Sequence, residues 1–222
     1  MREIVLDTET TGLDPARNRI VEIACVELAN HVPTGRNFHK YLNPEMEISA
    51  EAAAVHGITN EKVAKAPLFA EIAGEFVEFI GEAKLVIHNA DFDMGFINAE
   101  FERVGFPKLP KGRAIDTVHL ARRKFPGAPA SLDALCKRFE IDNSHRTLHG
   151  ALLDANLLAE VYLELIGGRQ ARMELGAQKT NADIAVSAAR QARAPRPHAA
   201  NDAELAAHAA AIAALKAPVW TS

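Results

Sequence analysis

The chain has 222 residues, of which 48% are hydrophobic and 24% are charged, a composition typical of a soluble globular protein with one sizeable domain and an appendage. Its net charge of -4 is unevenly spread, because residues 169–222 have seven Lys/Arg and only four Asp/Glu, which leaves residues 1–168 acidic. An acidic domain argues against binding of phosphates through basic side chains alone, and it fits a site where carboxylates hold cations.

Cysteine content and hydropathy indicate the cellular compartment. The two cysteines, Cys25 and Cys136, lie in apolar segments and are predicted to be buried, without a disulfide framework or zinc-ligand spacing. The sequence opens directly into a predicted strand, so we expect no signal peptide, and no apolar run is long enough to span a membrane. We therefore expect a cytoplasmic protein that has no membrane partner.

Residues 4–12 are the first stretch that carries chemistry. The apolar residues 4–6 predict a buried strand, and residues two apart in a strand share a face, so Asp7 and Glu9 lie side by side at its end. Adjacent carboxylates repel each other, and a divalent cation such as Mg²⁺ or Mn²⁺ between them removes that cost. Gly12 then allows a sharp turn and close approach of a ligand. The alternative is a strand end that carries two solvated acids.

Two further strands are predicted at residues 20–28 and 37–42, from apolar runs and period-two alternation. Three successive strands with short connections predict an antiparallel meander. His56 precedes a glycine in the following loop, where it either contacts a substrate or makes a hydrogen bond at a helix end. Apolar residues at helical spacing then predict an amphipathic helix at residues 68–80, whose phenylalanines belong to the core.

A fourth predicted strand, residues 84–87, again delivers acids at the point where a helix begins. In open sheets with parallel segments, ligands gather at the carboxyl ends of the strands. Asp91 and Asp93 both lie there, and acids are favoured in the first turn of any helix, so a cap alone explains one of them.

The last predicted helix brings a histidine and another acid to the same region. The remaining predicted elements are a strand at residues 114–117, helices through residues 120–121 and 132–139, and a long apolar helix at residues 151–166. His149 lies just before that long helix and Asp154 in its early turns, so the two side chains can converge. A buried carboxylate without a partner is costly, and a metal ion is the simplest partner. The alternatives are a histidine that only caps the helix and a solvated surface acid.

The composition changes after Gly168. Residues 178–200 are rich in Ala, Arg, Pro and Gln without apolar periodicity, which predicts a flexible linker. Asn201 then predicts the cap of a short alanine-rich helix, and Trp220 lies in a tail too small to bury it. Docking on a partner explains these features, and a disordered tail is the alternative.

Together, these residues resemble the three sequence motifs of the DEDDh 3′→5′ exonucleases. The motifs are matched by Asp7-Thr8-Glu9, by Asp93, and by His149 with Asp154. The chain is most similar to the proofreading (epsilon) subunits of bacterial DNA polymerase III, whose sequences match residues 55–58, 131–136 and 147–155 almost letter for letter. The resemblance covers residues 1–168 and continues weakly beyond them. One departure is Asp91, which stands where that group has a small residue.

The resemblance implies an α/β, ribonuclease H-like fold, with a mixed five-stranded sheet flanked by helices and a flexible C-terminal tail. It also implies hydrolysis with two divalent ions, Mg²⁺ or Mn²⁺, which releases deoxynucleoside 5′-monophosphates from DNA 3′ ends. Asp7, Glu9 and Asp154 would hold the first ion, Asp7 would bridge to the second, and Asp93 would act through water. His149 would be the general base. The terminal nucleotide would be lined by Thr8, Glu9, Thr10, Thr11, Gly12, His56 and Asn89.

The resemblance further divides the chain and implies partners. Residues 1–168 would be the exonuclease domain, and residues 169–200 a flexible linker. Within the linker, residues 170–175 resemble a peptide that binds the sliding clamp, through Gln170, Met173 and Leu175. Residues 201–222 would bind the polymerase alpha subunit, through Leu205, Ile212, Leu215 and Trp220. A small theta-like subunit is a further expected partner of the exonuclease domain.

Two other functions are compatible with these residues. An RNA-trimming DEDDh exoribonuclease would use the same five catalytic side chains, although it needs neither a clamp peptide nor a polymerase anchor. A subunit that mainly bridges polymerase and clamp would need only the tail, and the intact acidic motifs argue against a nuclease that has lost its activity.

Overall fold

The computed structural model describes residues 1–144, 146, 148–167 and 200–215, and these are the residues discussed below. The chain divides into two units, one within Met1–Arg172 and the other within Met173–Ser222. The expected clamp peptide, with Gln170, Met173 and Leu175, lies outside the described residues, as do the rest of the expected linker up to residue 199 and Trp220.

The first unit is built on one mixed five-stranded sheet, as predicted. Its strands are β1 (Arg2–Thr10), β2 (Ile20–Ala29), β3 (Val32–Tyr41), β4 (Lys84–Ile87) and β5 (Ala114–Asp116). The order across the sheet is β3-β2-β1-β4-β5. The first three strands form the expected antiparallel meander, whereas β4 pairs parallel to both β1 and β5. Because β1 and β4 are parallel, their carboxyl ends meet at one edge, where the acids were predicted.

Helices cover both faces of this sheet. They are α1 (Ala50–His56), α2 (Asn60–Val63), α3 (Phe69–Ile80), α4 (Ala90–Arg103), α5 (Thr117–Lys124), α6 (Leu132–Phe139) and α7 (Ala151–Ile166). Strand alternation separates two cores: Ile4 and Leu6 pack with α3 and α4, whereas Val5 packs with α5, α6 and α7. A third, smaller apolar cluster lies beneath α1 and α2.

Strand β3 and helix α1 differ from the sequence-based prediction, α2 was not predicted, and β5 ends at Asp116 rather than at residue 117. Strand β3 begins five residues before the predicted residue 37, and Pro33 and Gly35 lie within it. Strand β3 is at the edge of the sheet, where a missing N–H or a missing side chain costs little. His56 is not in a loop, because it is the last residue of α1, which Ser49 caps at its start.

In the second unit, the described residues form one helix, α8 (Asp202–Ala213). Asn201 caps it as predicted: its side chain accepts a hydrogen bond from the backbone of Glu204, whose carboxylate accepts one in return. Leu205 and Leu215 are each more than half exposed. Among the described residues, no helix is long and apolar enough to cross a membrane.

Candidate active site

The five side chains predicted to be catalytic line one cleft at the carboxyl edge of the sheet: Asp7, Glu9, Asp93, His149 and Asp154. Asp7 and Glu9 lie on the same face of β1 as Val5, which is the face covered by α7. Thr8 points to the opposite face, where α4 packs, and its Oγ1 donates a hydrogen bond of 2.7 Å to Oδ1 of Asp93. Because side chains alternate between the two faces of β1, Asp7 and Glu9 face α7 whereas Thr8 contacts Asp93 of α4.

The structure separates the two acids of α4. Asp93 is 3% exposed and lines the cleft. Asp91 has an 89% exposed side chain, lies near Lys111 at 3.5 Å, and is absent from the lining of the cleft. The extra negative charge of Asp91 therefore stays in solvent, and Asp93 is the acid of this pair that belongs to the cleft.

Asp154 lies in the first turn of α7, and a hydrogen bond to β2 fixes the start of that helix. The backbone N–H of Ala151 donates a hydrogen bond of 3.1 Å to Oε2 of Glu22 on β2. The other oxygen of Glu22 lies 2.6 Å from Nε2 of His39. Glu22 thus satisfies one of the free N–H groups at the start of α7. Asp154, in the same turn, is buried, so it is not the solvated surface acid of the alternative reading.

The loop that carries His149 rests on the end of α1. The backbone N–H of His149 donates a hydrogen bond of 3.1 Å to the carbonyl of Val55. Gly57 ends α1 with a φ of +68°, and a Cβ built there would lie 2.7 Å from Cδ1 of Leu148. The backbone conformation therefore favours glycine at position 57, and a side chain there would displace the exposed Leu148.

His56 makes hydrogen bonds at the end of this helix, the second of the two roles predicted for it. Its Nδ1 accepts a hydrogen bond from the N–H of Ile58 at 3.0 Å, and its Nε2 lies 3.2 Å from the carbonyl of Thr10. The ring is buried, and burial lowers its pKa. Among the described residues that line the cleft, His56 is absent. It ties the end of α1 to the end of β1.

The other residues expected to line the terminal nucleotide differ in their surroundings. The hydroxyl of Thr10 donates to the carbonyl of Gly12 at 2.7 Å, and that of Thr11 lies 3.1 Å from Oδ1 of Asn18. A Cβ at Gly12 would lie 2.6 Å from the same Asn18 oxygen. The group that lies close to Gly12 is therefore the Asn18 side chain, where we predicted a ligand. Asn89 is exposed at the start of α4, with a left-handed φ of +68°.

Arg146 is a charged residue of the cleft that sequence reasoning missed. Its guanidinium contacts Asp154 through two nitrogens, with Nε to Oδ1 at 2.5 Å and Nη2 to Oδ2 at 2.7 Å. Its Nη1 donates to Oδ1 of Asp133 at 2.7 Å, and Nη2 also lies 2.7 Å from Nδ1 of His149. An arginine three residues before the histidine is the only signal in the sequence, and spacing alone does not predict the direction of so long a side chain.

Burial and mutual repulsion make the acids of the cleft reluctant to ionise. Burial, and then the charge of Asp93, raises the pKa of Asp7 well above its usual range. Burial and the charge of Asp154 raise the pKa of Glu9 to about 8. Burial raises the pKa of Asp93 to about 7, although hydrogen bonds from Thr8 oppose that rise. Bound cations would remove the repulsion and stabilise the ionised acids.

The donor atoms of the cleft fit a divalent cation. One potential ligand atom from each of Glu9, His149 and Asp154 lies within 4.8 Å of the other two. Carboxylate oxygens are the ligands that Mg²⁺ and Mn²⁺ prefer, and Arg146 already brings a positive charge to Asp154.

Comparison with known proteins agrees with this geometry. Residues 4–162 match the model of the exonuclease family. The DNA polymerase III subunit epsilon of Rickettsia felis is 55% identical over 179 residues, which cover 79% of this chain and 78% of that protein. The subunit of the same name from Escherichia coli K12 is 47% identical over 222 residues, with coverage of 94% and 91%.

A solved structure matches the fold. Exonuclease X in complex with 5′-overhanging duplex DNA aligns with a TM-score of 0.58 and 30% sequence identity, and the match covers 74% of this chain and 90% of that chain. Together with the strand order, this match confirms the predicted ribonuclease H-like fold.

Proposed function

The chain belongs to the exonuclease family and, within it, to the epsilon subunits of DNA polymerase III, and from this premise we propose that it is the proofreading 3′→5′ exonuclease of that polymerase. It removes mismatched deoxynucleotides from DNA 3′ ends as 5′-monophosphates. The observation that carries this proposal is the convergence of four carboxylates and one imidazole, from β1, α4, α7 and the loop before α7, on one cleft.

The acids of the cleft would hold two divalent ions, Mg²⁺ or Mn²⁺. Asp7, Glu9 and Asp154 would hold the first, Asp7 would also be a ligand of the second, and Asp93 would contribute through water. When bound, the ions neutralise the phosphodiester, activate the attacking water and stabilise the leaving 3′ oxygen. The raised pKa values of Glu9 and Asp93 give these ligands a strong tendency to pair with a cation.

His149 takes the proton of the attacking water at a ring nitrogen. Its side chain is 47% exposed, so water and substrate can reach it. The hydrogen bond from the backbone N–H of His149 to the carbonyl of Val55 fixes the loop, and a neutral imidazole has one ring nitrogen with a free lone pair, which a general base needs.

Other residues of the chain position the catalytic groups and the 3′-terminal nucleotide. Thr8 orients Asp93 through its hydroxyl. Thr10, at the end of β1, and the following Thr11 and Gly12 would lie beside the nucleotide, and Asn89 lies exposed at the start of α4. His56 supports this segment through its bond to Thr10 rather than through a direct contact with the nucleotide.

The acidic cleft favours 3′ ends that are already frayed. An unpaired terminal base is cheaper to bring into a single-strand site than a paired one, which gives mismatched ends an advantage. The site residues do not by themselves distinguish deoxyribose from ribose, so the DNA preference rests on membership of the epsilon subunits.

The remainder of the chain binds the other replication proteins. Residues 1–168 form the catalytic domain, residues 169–200 a linker whose residues 170–175 bind the sliding clamp, and residues 201–222 bind the polymerase alpha subunit. The exposed Leu205 of α8 and the exposed Leu215 just after it support this last role. A small theta-like subunit binds the catalytic domain, and the protein works in the cytoplasm with the polymerase.

The tail can bridge polymerase and clamp while the catalytic domain digests DNA, since the residues of the tail are not those of the cleft.

Single-turnover digestion of three labelled substrates tests this function. They are a primer–template with a mismatched 3′ end, the same duplex with a matched end, and a short RNA, each with Mg²⁺ or Mn²⁺. We expect metal-dependent release of 5′-monophosphates from DNA, fastest from the mismatched end, and loss of release in Asp7→Ala. Release from RNA alone would instead indicate an exoribonuclease. No release by a folded, metal-bound protein would leave only the bridging role.

A further inference from the structure

Arg146 lies in the cleft as an internal cation. Its side chain is only 8% exposed, although it belongs to the loop between α6 and α7. Both oxygens of Asp154 accept hydrogen bonds from it, at 2.5 Å and 2.7 Å. Such a two-pronged contact between a guanidinium and a carboxylate is among the strongest ion pairs in proteins. Both oxygens through which Asp154 would bind a metal ion are therefore engaged.

The same guanidinium also engages His149. Nη2 of Arg146 lies 2.7 Å from Nδ1 of His149, and a guanidinium has no lone pair with which to accept a hydrogen bond. Nδ1 also lies 3.2 Å from Oδ2 of Asp154, to which it could donate only if it carried the ring proton. The contact with Arg146 is the shorter of the two, and it favours a neutral ring that carries its proton on Nε2. With the proton there, the only lone pair of the ring points at Arg146. A base that abstracts a proton from water needs that lone pair.

We propose that Arg146 competes with the metal ion for Asp154, and that its displacement by the metal also releases the lone pair of His149. Because one guanidinium contacts both groups, metal binding and the availability of the base are coupled in a single step. This inference rests on the proposed metal-dependent function. The metal-free enzyme is held inactive with its carboxylates partly neutralised, and it becomes competent when the cation arrives.

Asp133 provides a place for the displaced side chain. Nη1 of Arg146 donates to Oδ1 of Asp133 at 2.7 Å, and the Asp133 side chain is 60% exposed at the start of α6. The Nδ2 of Asn143 donates to the same carboxylate oxygen at 3.0 Å. Arg146 can therefore leave Asp154 and remain paired at the rim of the cleft, so its displacement does not leave an unpaired buried charge.

The opposite role for Arg146 makes a different prediction. If Arg146 were a permanent support that orients Asp154 as a ligand, removing it would weaken metal binding. If Arg146 competes with the metal, removing it strengthens metal binding and destabilises only the metal-free protein. The two roles therefore differ in the sign of the change in metal affinity.

Calorimetric titration of the full chain with Mn²⁺, without DNA, measures that sign. We expect Arg146→Gln to bind Mn²⁺ about tenfold more tightly than the wild type, since a hydrogen-bonded charge pair no longer has to be broken. Arg146→Lys keeps the charge but cannot span both oxygens of Asp154. Its affinity for Mn²⁺ should therefore lie between those of the wild type and Arg146→Gln. Arg122→Gln, at an exposed arginine of α5, should bind as the wild type does. Unchanged or weaker binding by Arg146→Gln would overturn the proposal.

Thermal unfolding excludes a general electrostatic effect. Competition requires Arg146→Gln to have a lower Tm than the wild type in EDTA and the same Tm at saturating Mn²⁺, since the contact exists only without metal. An equal decrease in Tm in EDTA and at saturating Mn²⁺ would mean that Arg146 still contacts Asp154 when metal is bound, which would contradict the proposal. Should Arg146→Gln fail to fold, the same comparison with Arg146→Lys decides.

The ¹⁵N spectrum of the imidazole gives an independent readout. Without metal, the ring of His149 should carry its proton on Nε2, with Nδ1 accepting a hydrogen bond, and Mg²⁺ should abolish that bond. A proton on Nδ1 in the metal-free protein, or no change with Mg²⁺, would contradict the proposal. These results are separate from nucleotide release: an active nuclease in which Arg146→Gln weakens metal binding would refute only this inference.

Discussion

At the scale of single residues, the cleft is a place where like charges are buried together. Glu9 and Asp93 come from different elements and face a shared space, and burial is the first cause of the raised pKa of each. Such an arrangement is costly unless the acids are protonated or paired with a cation. The stability of the metal-free protein should therefore depend on pH.

We predict that the metal-free protein becomes less stable as pH rises. In the folded chain the pKa is about 8 for Glu9 and about 7 for Asp93, whereas the ordinary values are 4.5 and 3.8. The folded state thus binds protons that the unfolded state has released, and the free energy of unfolding falls across this interval. Urea unfolding in EDTA, followed by circular dichroism, should show a loss on the order of a few kcal/mol between pH 5 and pH 8.

Variants separate this effect from the titration of the remaining acids. Glu9→Gln should flatten the decline, because the amide does not ionise, whereas Glu82→Gln, at an exposed position, should leave it unchanged. Saturating Mg²⁺ should stabilise the wild type more at pH 8 than at pH 6. A wild-type stability that stays constant or rises over this interval in EDTA would contradict the account.

The residues of the cleft differ in how far the sequence predicts them. Asp7 and Glu9 follow from strand periodicity, because two acids at i and i+2 must share a face. Asp93 needed the family resemblance, since Asp91 has the same helix-start position and only burial separates them. Arg146 was not predicted at all, because its contacts depend on where a flexible side chain folds back within a loop.

At the scale of elements, α1 holds two segments of the proposed active site although it contributes no side chain to the cleft. Its last turn holds the carbonyl of Thr10 through His56, and Val55 accepts the backbone bond from His149. Gly57, which ends the helix, is packed against Leu148. The segment that resembles the family at residues 55–58 therefore places the loop of His149, the proposed general base.

We predict that Gly57→Ala impairs activity more than its backbone strain alone would explain. A side chain at a φ of +68° costs on the order of 1 kcal/mol, and the new Cβ would also push Leu148 away from α1. We expect at least a roughly tenfold slower single-turnover release of nucleotide, since small misplacements of a catalytic group are costly.

Gly105→Ala is the matched control. Gly105 also has a positive φ, of +75°, but a Cβ there would meet nothing within 4 Å. Both variants should lose similar stability from the backbone, whereas only Gly57→Ala should slow nucleotide release. Equal activity of the two variants would show that the packing of Leu148 does not position His149.

The elements themselves were mostly predictable from periodicity. Strands β1, β2 and β4 are short apolar runs bounded by turn residues, and α3 and α7 have clear helical spacing. The early part of β3 was missed because Pro33 and Gly35 normally break strands, and only its position at the sheet edge explains them. The short α1 was missed although Ser49 and Gly57, its two capping residues, mark both ends.

At the scale of the whole molecule, the chain combines an acidic catalytic unit with a more basic tail. In the described part of the tail, α8 has apolar side chains at positions 205 and 212, which helical periodicity brings to one face, and Leu215 follows just after its end. An isolated alanine-rich helix of this length is only marginally stable in water, so binding to a partner would stabilise it.

We predict that Leu205→Glu combined with Leu215→Glu abolishes association with the polymerase alpha subunit. The first change places a charge on the exposed apolar face of α8 and the second just after its end, where docking would have to desolvate both charges. Ala210→Glu, on the opposite face by helical periodicity, is the control. Gel filtration of mixtures with the alpha subunit should show co-elution for the control alone, and all variants should digest single-stranded DNA at the wild-type rate. Co-elution of the double variant would remove α8 from the interface.

The central claim is that His149, among four buried or partly buried acids, is the general base of a metal-dependent nuclease. The measurement that tests it most directly is the single-turnover rate constant of His149→Ala on a 3′-mismatched primer at saturating Mg²⁺. Because the side chain is about half exposed, the variant should fold normally, and the rate constant should fall by roughly 10²- to 10⁴-fold. A folded, metal-saturated His149→Ala protein that releases nucleotides at close to the wild-type rate would contradict the account.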